Sequence, residues 1–537
     1  MAMILKMVLA NVELYDEQAS PMAMKKLPIG IQTFSELISG GYYYVDKTPL
    51  IAELVATGKY YFLSRPRRFG KSLLVSTLKS AFSGDQALFS GLYLQDHWDW
   101  QLAYPIIPIS FGRGVVSSEA MLDERFLAML NETAEYYGIE LEHQDLANRF
   151  FELIKRLREK FQQPVVILVD EYDKPILDNI ENPELAIKIR EGLRNIYSVI
   201  KDSDAYVKFA LLTGVSKFSK VSLFSGLNNL KDISLDSRYA TLCGYTLTEI
   251  KTVFAERLAG VDFNKLAEWY NGYNFLGEKV YNPFDVLLYL DQGLFKNYWF
   301  ETGSPSFLIK RVREKQYSIP DFENVVMDEA VLSSFDVDDI ALENLLFQTG
   351  YLTIARVEEL GGERFYYLTY PNREVKASLN GYLLRDLTQT PASVVTGHQI
   401  QLYKALSQVD FVKLEQTLFA LFAAIPNDWY RKNQLAYYEG YYASIIYSCF
   451  AALGLKVIAE DTTNQGRIDL TVMLDDKVFI IEFKVLDEAK KQGAALAQIK
   501  ARNYSQKYAG PANRVFLVGI EFDKTQRNID FFAWEAV

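Results

Sequence analysis

Lys71 and Ser72 follow Gly70 at the end of the run Leu63-Ser64-Arg65-Pro66-Arg67-Arg68-Phe69-Gly70. An ammonium and a hydroxyl placed directly behind a glycine are groups that hold phosphate and a divalent cation: Lys71 reaches the β- and γ-phosphates and Ser72 ligates magnesium. Backbone N–H groups at a helix N-terminus carry partial positive charge and lack intrahelical partners, so they receive phosphate oxygens. The position five residues before Gly70, a glycine in the usual form of such loops, is Arg65. A basic surface turn with a chance Gly-Lys-Ser is the plain alternative. Asp170 and Glu171 close a second stretch, the apolar run Pro164-Val165-Val166-Ile167-Leu168-Val169. An acid at the end of a buried strand faces bound magnesium, and the next acid orients or deprotonates the attacking water. Alone, a core strand with a polar end reads the same way.

A second constellation lies near the C-terminus. Asp469 sits inside Gly466-Arg467-Ile468-Asp469-Leu470-Thr471-Val472, Asp475-Asp476 makes a turn, and Glu482 and Lys484 sit inside Lys477–Val485. Period two puts Glu482 and Lys484 on one face of their strand, and the hairpin brings Asp469 alongside. Two carboxylates and a lysine inside apolar strands are costly unless they pair or bind something. Oxygen ligands suit Mg²⁺ or Mn²⁺, so Asp469 and Glu482 read as metal ligands and Lys484 as the group that orients water or neutralises developing charge. Glu439, on a preceding helix, is a further candidate for the metal shell, and Gln498, on a following helix, for positioning substrate or water. A salt-bridged hairpin fits the same spacing, and spacing does not choose between them.

The elements that must carry these groups are legible in outline. Apolar runs at 60–63, 104–111, 165–169, 207–214 and 232–235 read as strands, and 73–79, 119–137, 146–161 and 184–201 as helices. Strands alternating with helices predict a mainly parallel sheet covered on both faces, with ligand at the C-terminal ends of its strands. Residues 246–310 read as a mostly helical, aromatic lid carrying Trp269-Tyr270-Asn271-Gly272-Tyr273 and Tyr281-Asn282-Pro283-Phe284. Residues 335–385 read as a winged-helix-like unit with a hairpin at Gly361-Gly362. Its acidic tip, Glu358, Glu359 and Glu363, speaks for docking rather than DNA binding. Residues 386–400 read as a linker.

The chain of 537 residues implies about three domains. A net charge of −11 excludes a generally cationic coat for nucleic acid but not a local basic site. Two cysteines, Cys243 and Cys449, build no disulfide framework, which fits a reducing cytoplasm. The three histidines have no zinc spacing, and no apolar run is long enough to span a membrane.

Tyr44-Val45-Asp46-Lys47-Thr48 and the stretch from Phe62 to Leu73 resemble a family of prokaryotic AAA-ATPase-like proteins in which Arg-Pro-Arg-Arg-Phe-Gly-Lys-Ser is the usual loop. Gly466-Arg467-Ile468-Asp469, Ile481-Glu482-Phe483-Lys484 and Gln498-Ile499 resemble the PD-(D/E)xK nuclease superfamily, with Ile468 where the motif's name has proline. The resemblance implies an α/β protein: a P-loop NTPase sheet, a helical lid, a winged-helix-like middle unit and a C-terminal α/β nuclease-like domain. The expected divisions are a lead segment at 1–26, a P-loop domain at 27–245, lid and winged-helix-like region at 246–400, and nuclease-like domain at 401–537. The resemblance implies that Arg67, Arg68, Phe69, Gly70, Lys71, Ser72, Asp170 and Thr213 hold ATP and Mg²⁺, with Glu171 catalytic. Ser72, Asp170, Asp469 and Glu482 are the implied metal ligands, and Asp469, Glu482, Lys484, Glu439 and Gln498 the implied nuclease groups. Nucleic acid, DNA over RNA, is the expected partner, the location cytoplasmic, membrane association is not expected, and a homo-oligomer is compatible. An ATP-switched docking protein with an inactive nuclease-like domain is the alternative.

Overall fold

The computed structural model describes residues 24–217, 229–300, 306–315, 317–333, 341–426, 439–486, 492–510 and 513–537. Residues 1–23 of the expected lead segment lie outside them. The first sheet has five parallel strands in the order β2-β3-β4-β1-β5. They are β1 (Tyr60–Ser64), β2 (Ile106–Ser110), β3 (Val165–Asp170), β4 (Val207–Gly214) and β5 (Lys231–Asp232). From Val165 to Val169 every side chain is buried, as a central parallel strand covered on both faces requires. Helices α1 (Lys71–Phe82), α2 (Glu119–Tyr136), α3 (Leu146–Phe161) and α4 (Pro183–Asp202) supply the cover. Side-chain caps start three of them: Ser118 before α2, Asp145 before α3 and Asn182 before α4.

The strand order decides what meets what. β4 lies between β1 and β3, with Ser64 opposite Gly214 and Val169 opposite Leu212. The loop leaving β1 and the acids ending β3 therefore emerge on either side of Thr213.

Three helices follow: α5 (Leu247–Val253), α6 (Phe263–Tyr270) and α7 (Pro283–Gln292). A capping box of Thr246 and Glu249 starts α5, and Asn282 caps α7 with Pro283 in its first turn. After α8 (Ser306–Glu314) comes a three-stranded antiparallel sheet, ordered β6-β8-β7. It consists of β6 (Val325–Asp328), β7 (Thr353–Leu360) and β8 (Glu363–Thr369), with α9 (Leu342–Thr349) before the hairpin. Gly361 and Gly362, at φ 64° and 88°, form the two-residue turn.

The expected linker at 386–400 is mostly helix, with residues 389–391 turning between two helices. α10 (Arg373–Thr388) is followed by α11 (Ala392–Gln408), so an expected division at 400 falls inside α11. Thr388 and Thr390 were the misleading residues. Thr388 is buried with its hydroxyl bonded to the Leu384 carbonyl, and Pro391 stands at the start of α11, where its ring costs no hydrogen bond.

The second large sheet is mixed, ordered β13-β12-β11-β10-β9, with β11 and β12 parallel and the other pairs antiparallel. Its strands are β9 (Lys456–Thr463), β10 (Gly466–Leu474), β11 (Lys477–Leu486), β12 (Arg514–Asp523) and β13 (Asn528–Ala536). It packs with α12 (Phe411–Ala423), α13 (Glu439–Ala452) and α14 (Ala494–Ala501). Among the described residues no helix is long and apolar enough to cross a membrane.

Candidate active sites

Gly70 takes the left-handed conformation, φ 92°, and turns the chain from the loop into α1. No side chain caps α1, so its first turn is left to an external acceptor. That turn opens on a cavity of about 600 Å³ lined by Arg67, Arg68, Phe69, Gly70, Lys71 and Ser72, with Glu171 across it. Lys71 is buried, and its ammonium donates to the Arg65 and Pro66 carbonyls, each at 2.9 Å. Burial holds its pKa below the usual lysine range against the opposing charge of Asp170. Arg67 and Arg68 are exposed, the Arg68 guanidinium lying 4.8 Å from the Phe284 ring centre. The Phe69 ring is buried edge-on against Tyr273.

Arg65 does not enter this cavity's lining. It is 1% exposed, and its guanidinium donates to the carbonyls of Ser64, Ser234 and Tyr239 at 2.9, 2.7 and 3.1 Å. The side chain that replaces the customary glycine therefore points into the core and leaves the loop open.

Asp170 accepts the Thr213 hydroxyl at 2.7 Å and the Glu171 amide at 3.0 Å. Glu171 has φ 54°, unusual for a residue with a side chain. Burial, with the Asp170 charge next, pushes its carboxyl above the usual range, the direction suited to a proton acceptor. Asp173 lies in the turn after β3. It is buried and accepts the amide and hydroxyl of Ser216 at 2.6 and 2.5 Å and the Val215 amide at 3.0 Å. It thus ties the loop after β3 to the loop after β4. Lys47, ion-paired to Glu249 at 2.6 Å, and Cys243 also line the cavity. No spacing rule links residues so far apart.

In the mixed sheet, Leu470 pairs with Ile481, which brings Asp469 beside Glu482 and Phe483. Asp469 Oδ2 accepts the Phe483 amide at 2.8 Å. Glu482 is 1% exposed; Gln498 Nε2 donates to its Oε1, and Lys484 Nζ lies 3.6 Å from the same atom. Glu482 Oε2 is buried with no hydrogen-bond partner. Burial and then the Asp469 charge push Glu482 up to about 7, against the pull of Lys484. Such an oxygen, beside a second carboxylate, fits a hard cation. Among the described residues no three His, Cys, Asp or Glu side chains group closely enough to hold a metal. Asp469 and Glu482 would hold such an ion, with water in the rest of its shell. Glu439 opens α13, but its side chain lies outside the described residues. Gln498 is carried in by α14, which presses on β12 at Gly519: a Cβ there would lie 2.5 Å from the Leu496 nitrogen. Glu521, two residues on, accepts the Gly493 and Ala495 amides at 2.9 and 2.8 Å and anchors the start of that helix.

Residues 28–224 match the family described as predicted AAA-ATPase, and residues 437–532 match the PD-(D/E)XK nuclease superfamily. A relative from Azotobacter chroococcum mcd 1, described as an uncharacterized protein in the vnfD 5′ region, is 51% identical over 519 residues. That alignment covers 96% of this chain and all of the relative. The chain belongs to the predicted AAA-ATPase family. Like the family resemblance seen in its motifs, it carries a PD-(D/E)XK nuclease superfamily domain at the C-terminus. The AAA-ATPase match contains the loop, Asp170, Glu171 and Thr213, and the nuclease match contains Asp469, Glu482, Lys484 and Gln498.

Proposed function

We propose that this AAA-ATPase-family protein binds and hydrolyses ATP at the 65–72 loop and cleaves nucleic-acid phosphodiesters, DNA before RNA, at Asp469, Glu482 and Lys484. The observation that supports the nuclease best is Glu482 Oε2, a buried carboxylate oxygen with no protein partner beside a second acid. Leaving such an atom unsatisfied costs about 1–3 kcal/mol, which a cation would recover. Asp469 and Glu482 would hold Mg²⁺ or Mn²⁺, and the bound ion would lower the pKa of its water and offset charge on the phosphate. Lys484 orients the attacking water and balances charge building on the phosphate. Gln498 fixes the Glu482 carboxylate. At the other site, Lys71 and the first turn of α1 would hold the phosphates and Ser72 and Asp170 would hold Mg²⁺, with Thr213 orienting Asp170 and Glu171 placed to accept the water's proton. The location is cytoplasmic in this reading, which two buried free cysteines support.

The test is cleavage of single- and double-stranded DNA and RNA by the intact protein with Mg²⁺ or Mn²⁺. Asp469→Ala and Glu482→Ala are expected to lower cleavage by about a hundredfold or more. Lys71→Ala should abolish ATP binding, and Glu171→Gln should keep binding while turnover falls about 10²–10⁴-fold. Cleavage that persists in both acid variants sinks the nuclease assignment. Glu482 Oε1, already taken by Gln498 and 3.6 Å from Lys484, favours a second reading, an ATP-switched docking protein. Manganese binding by calorimetry, absent in Glu482→Ala, would decide against it.

A further inference from the structure

The first turn of α10 is linked through intermediate side chains to both candidate sites. On the phosphate-loop side, the Trp299 indole N–H donates to the Arg67 carbonyl at 3.1 Å. The Trp299 and Phe300 amides donate to Glu374 Oε1 at 2.8 and 3.3 Å. Glu374 is fully buried in the first turn of α10, beside Asp285, also fully buried, whose carboxylate oxygens find no hydrogen-bond partner. Burial, and then the charge of Glu374, raise the Asp285 carboxyl well above its usual range. Gly350 packs against Pro66 so closely that a Cβ there would lie 2.7 Å from the proline ring.

On the nuclease side, Lys376 of the same turn donates to Glu323 Oε1 and to the Val457 carbonyl at 2.9 Å. Glu323 also accepts the Tyr447 hydroxyl at 2.8 Å and the Ala459 amide at 3.0 Å. The next residue, Glu460, has φ 48° and lies between the pairs Asp461–Ile468 and Ala459–Leu470, which sets it across from Asp469. The Glu460 carboxylate is ion-paired to Arg467 at 3.0 Å.

We propose that the first turn of α10 is a relay: occupancy of the phosphate loop is read through Trp299 and Glu374 and delivered through Lys376 and Glu323 to β9, where it sets Glu460 against Asp469. The inference rests on the nucleotide reading of the loop. Its moving part is the Lys71 ammonium, held by the Arg65 and Pro66 carbonyls. Phosphate competes for that ammonium, so those carbonyls lose a donor and the loop resets beside the Arg67 carbonyl that Trp299 holds. A ligand shifts a distant element only by binding its two states unequally; here the difference lies in which partner Lys71 takes.

Hydrogen exchange on the intact protein, with and without magnesium and a non-hydrolysable ATP analogue, tests the relay. In the wild type, exchange should change by about threefold or more in 65–74 and in 456–463. Trp299→Phe removes the indole donor and Lys376→Met removes the ammonium while keeping its stem. Both should bind the analogue by calorimetry and protect 65–74, with the response in 456–463 lost. A response in 456–463 that survives in the variants, or is missing in the wild type despite loop protection, overturns the relay alone. No analogue bound by the wild type overturns the nucleotide reading and the relay with it. Were Trp299→Phe to lose its fold in a thermal melt, Lys376→Met carries the same test from the other end.

Discussion

Arg65 shows what a single side chain contributes to the phosphate loop. Three carbonyls receive its guanidinium and the Phe275 ring lies 3.8 Å from it. Burial draws its pKa down to about 10. It acts as a peg that holds the start of the loop against the segment at 234–239. Arg65→Gly, which restores the customary loop pattern, should therefore weaken the protein. Stability should fall by about 2–4 kcal/mol, because buried carbonyls lose their donors and a cavity opens, measured by urea unfolding. Nucleotide affinity should not rise; tighter binding with unchanged stability would show that Arg65 hinders the loop. The sequence marked Lys71, Ser72, Asp170 and Glu171 as candidates, since each stands in a local run of recognisable chemistry. It did not carry the direction of Arg65 or the left-handed backbone of Glu171, which depend on what surrounds them in space.

Among the elements, α14 owes its place to two residues of β12. Gly519 lets the helix backbone approach, and Glu521 holds its first amides. That helix presents Gln498 to Glu482. Gly519→Ala should cost about 1–3 kcal/mol through overpacking, read as a lower melting temperature. Because the displaced helix takes Gln498 with it, cleavage should fall about as far as in Gln498→Ala. Unchanged cleavage would mean that α14 tolerates the added methyl. The helix at 146–161 and the strand at 207–214 were legible to the residue, because periodicity is a local property. The linker expected at 386–400 failed for the same reason in reverse. Threonines and a proline mark a loop locally, yet Thr388 is buried and closes the last turn of its helix. β6, four residues long, gave too short a pattern to read.

At the scale of the whole chain, one continuous core of buried side chains reaches from Phe34 to Ile529. The nuclease-like sheet is not a detachable unit in this arrangement. α13 turns Tyr441, Ser444, Tyr447 and Ser448 toward partners that lie before residue 400: the Leu387 carbonyl, the Ile319 amide, Glu323 and Asn380. None of these pairings has a sequence signature, since each joins residues more than fifty positions apart. A fragment of residues 401–537 would keep all five strands of the sheet but strip that face of α13, exposing buried tyrosines and leaving their hydroxyls to water. It should unfold without a cooperative transition, or aggregate, whereas a fragment beginning at 317 restores Glu323, Lys376 and Asn380 and should melt cooperatively. Calorimetry of the two fragments and the intact chain measures this. If 401–537 melts sharply alone and the intact chain shows a separate transition at the same temperature, the nuclease-like sheet is energetically independent. In that case contact through α10 would transmit no more than its few hydrogen bonds are worth, about 0.5–1.5 kcal/mol each.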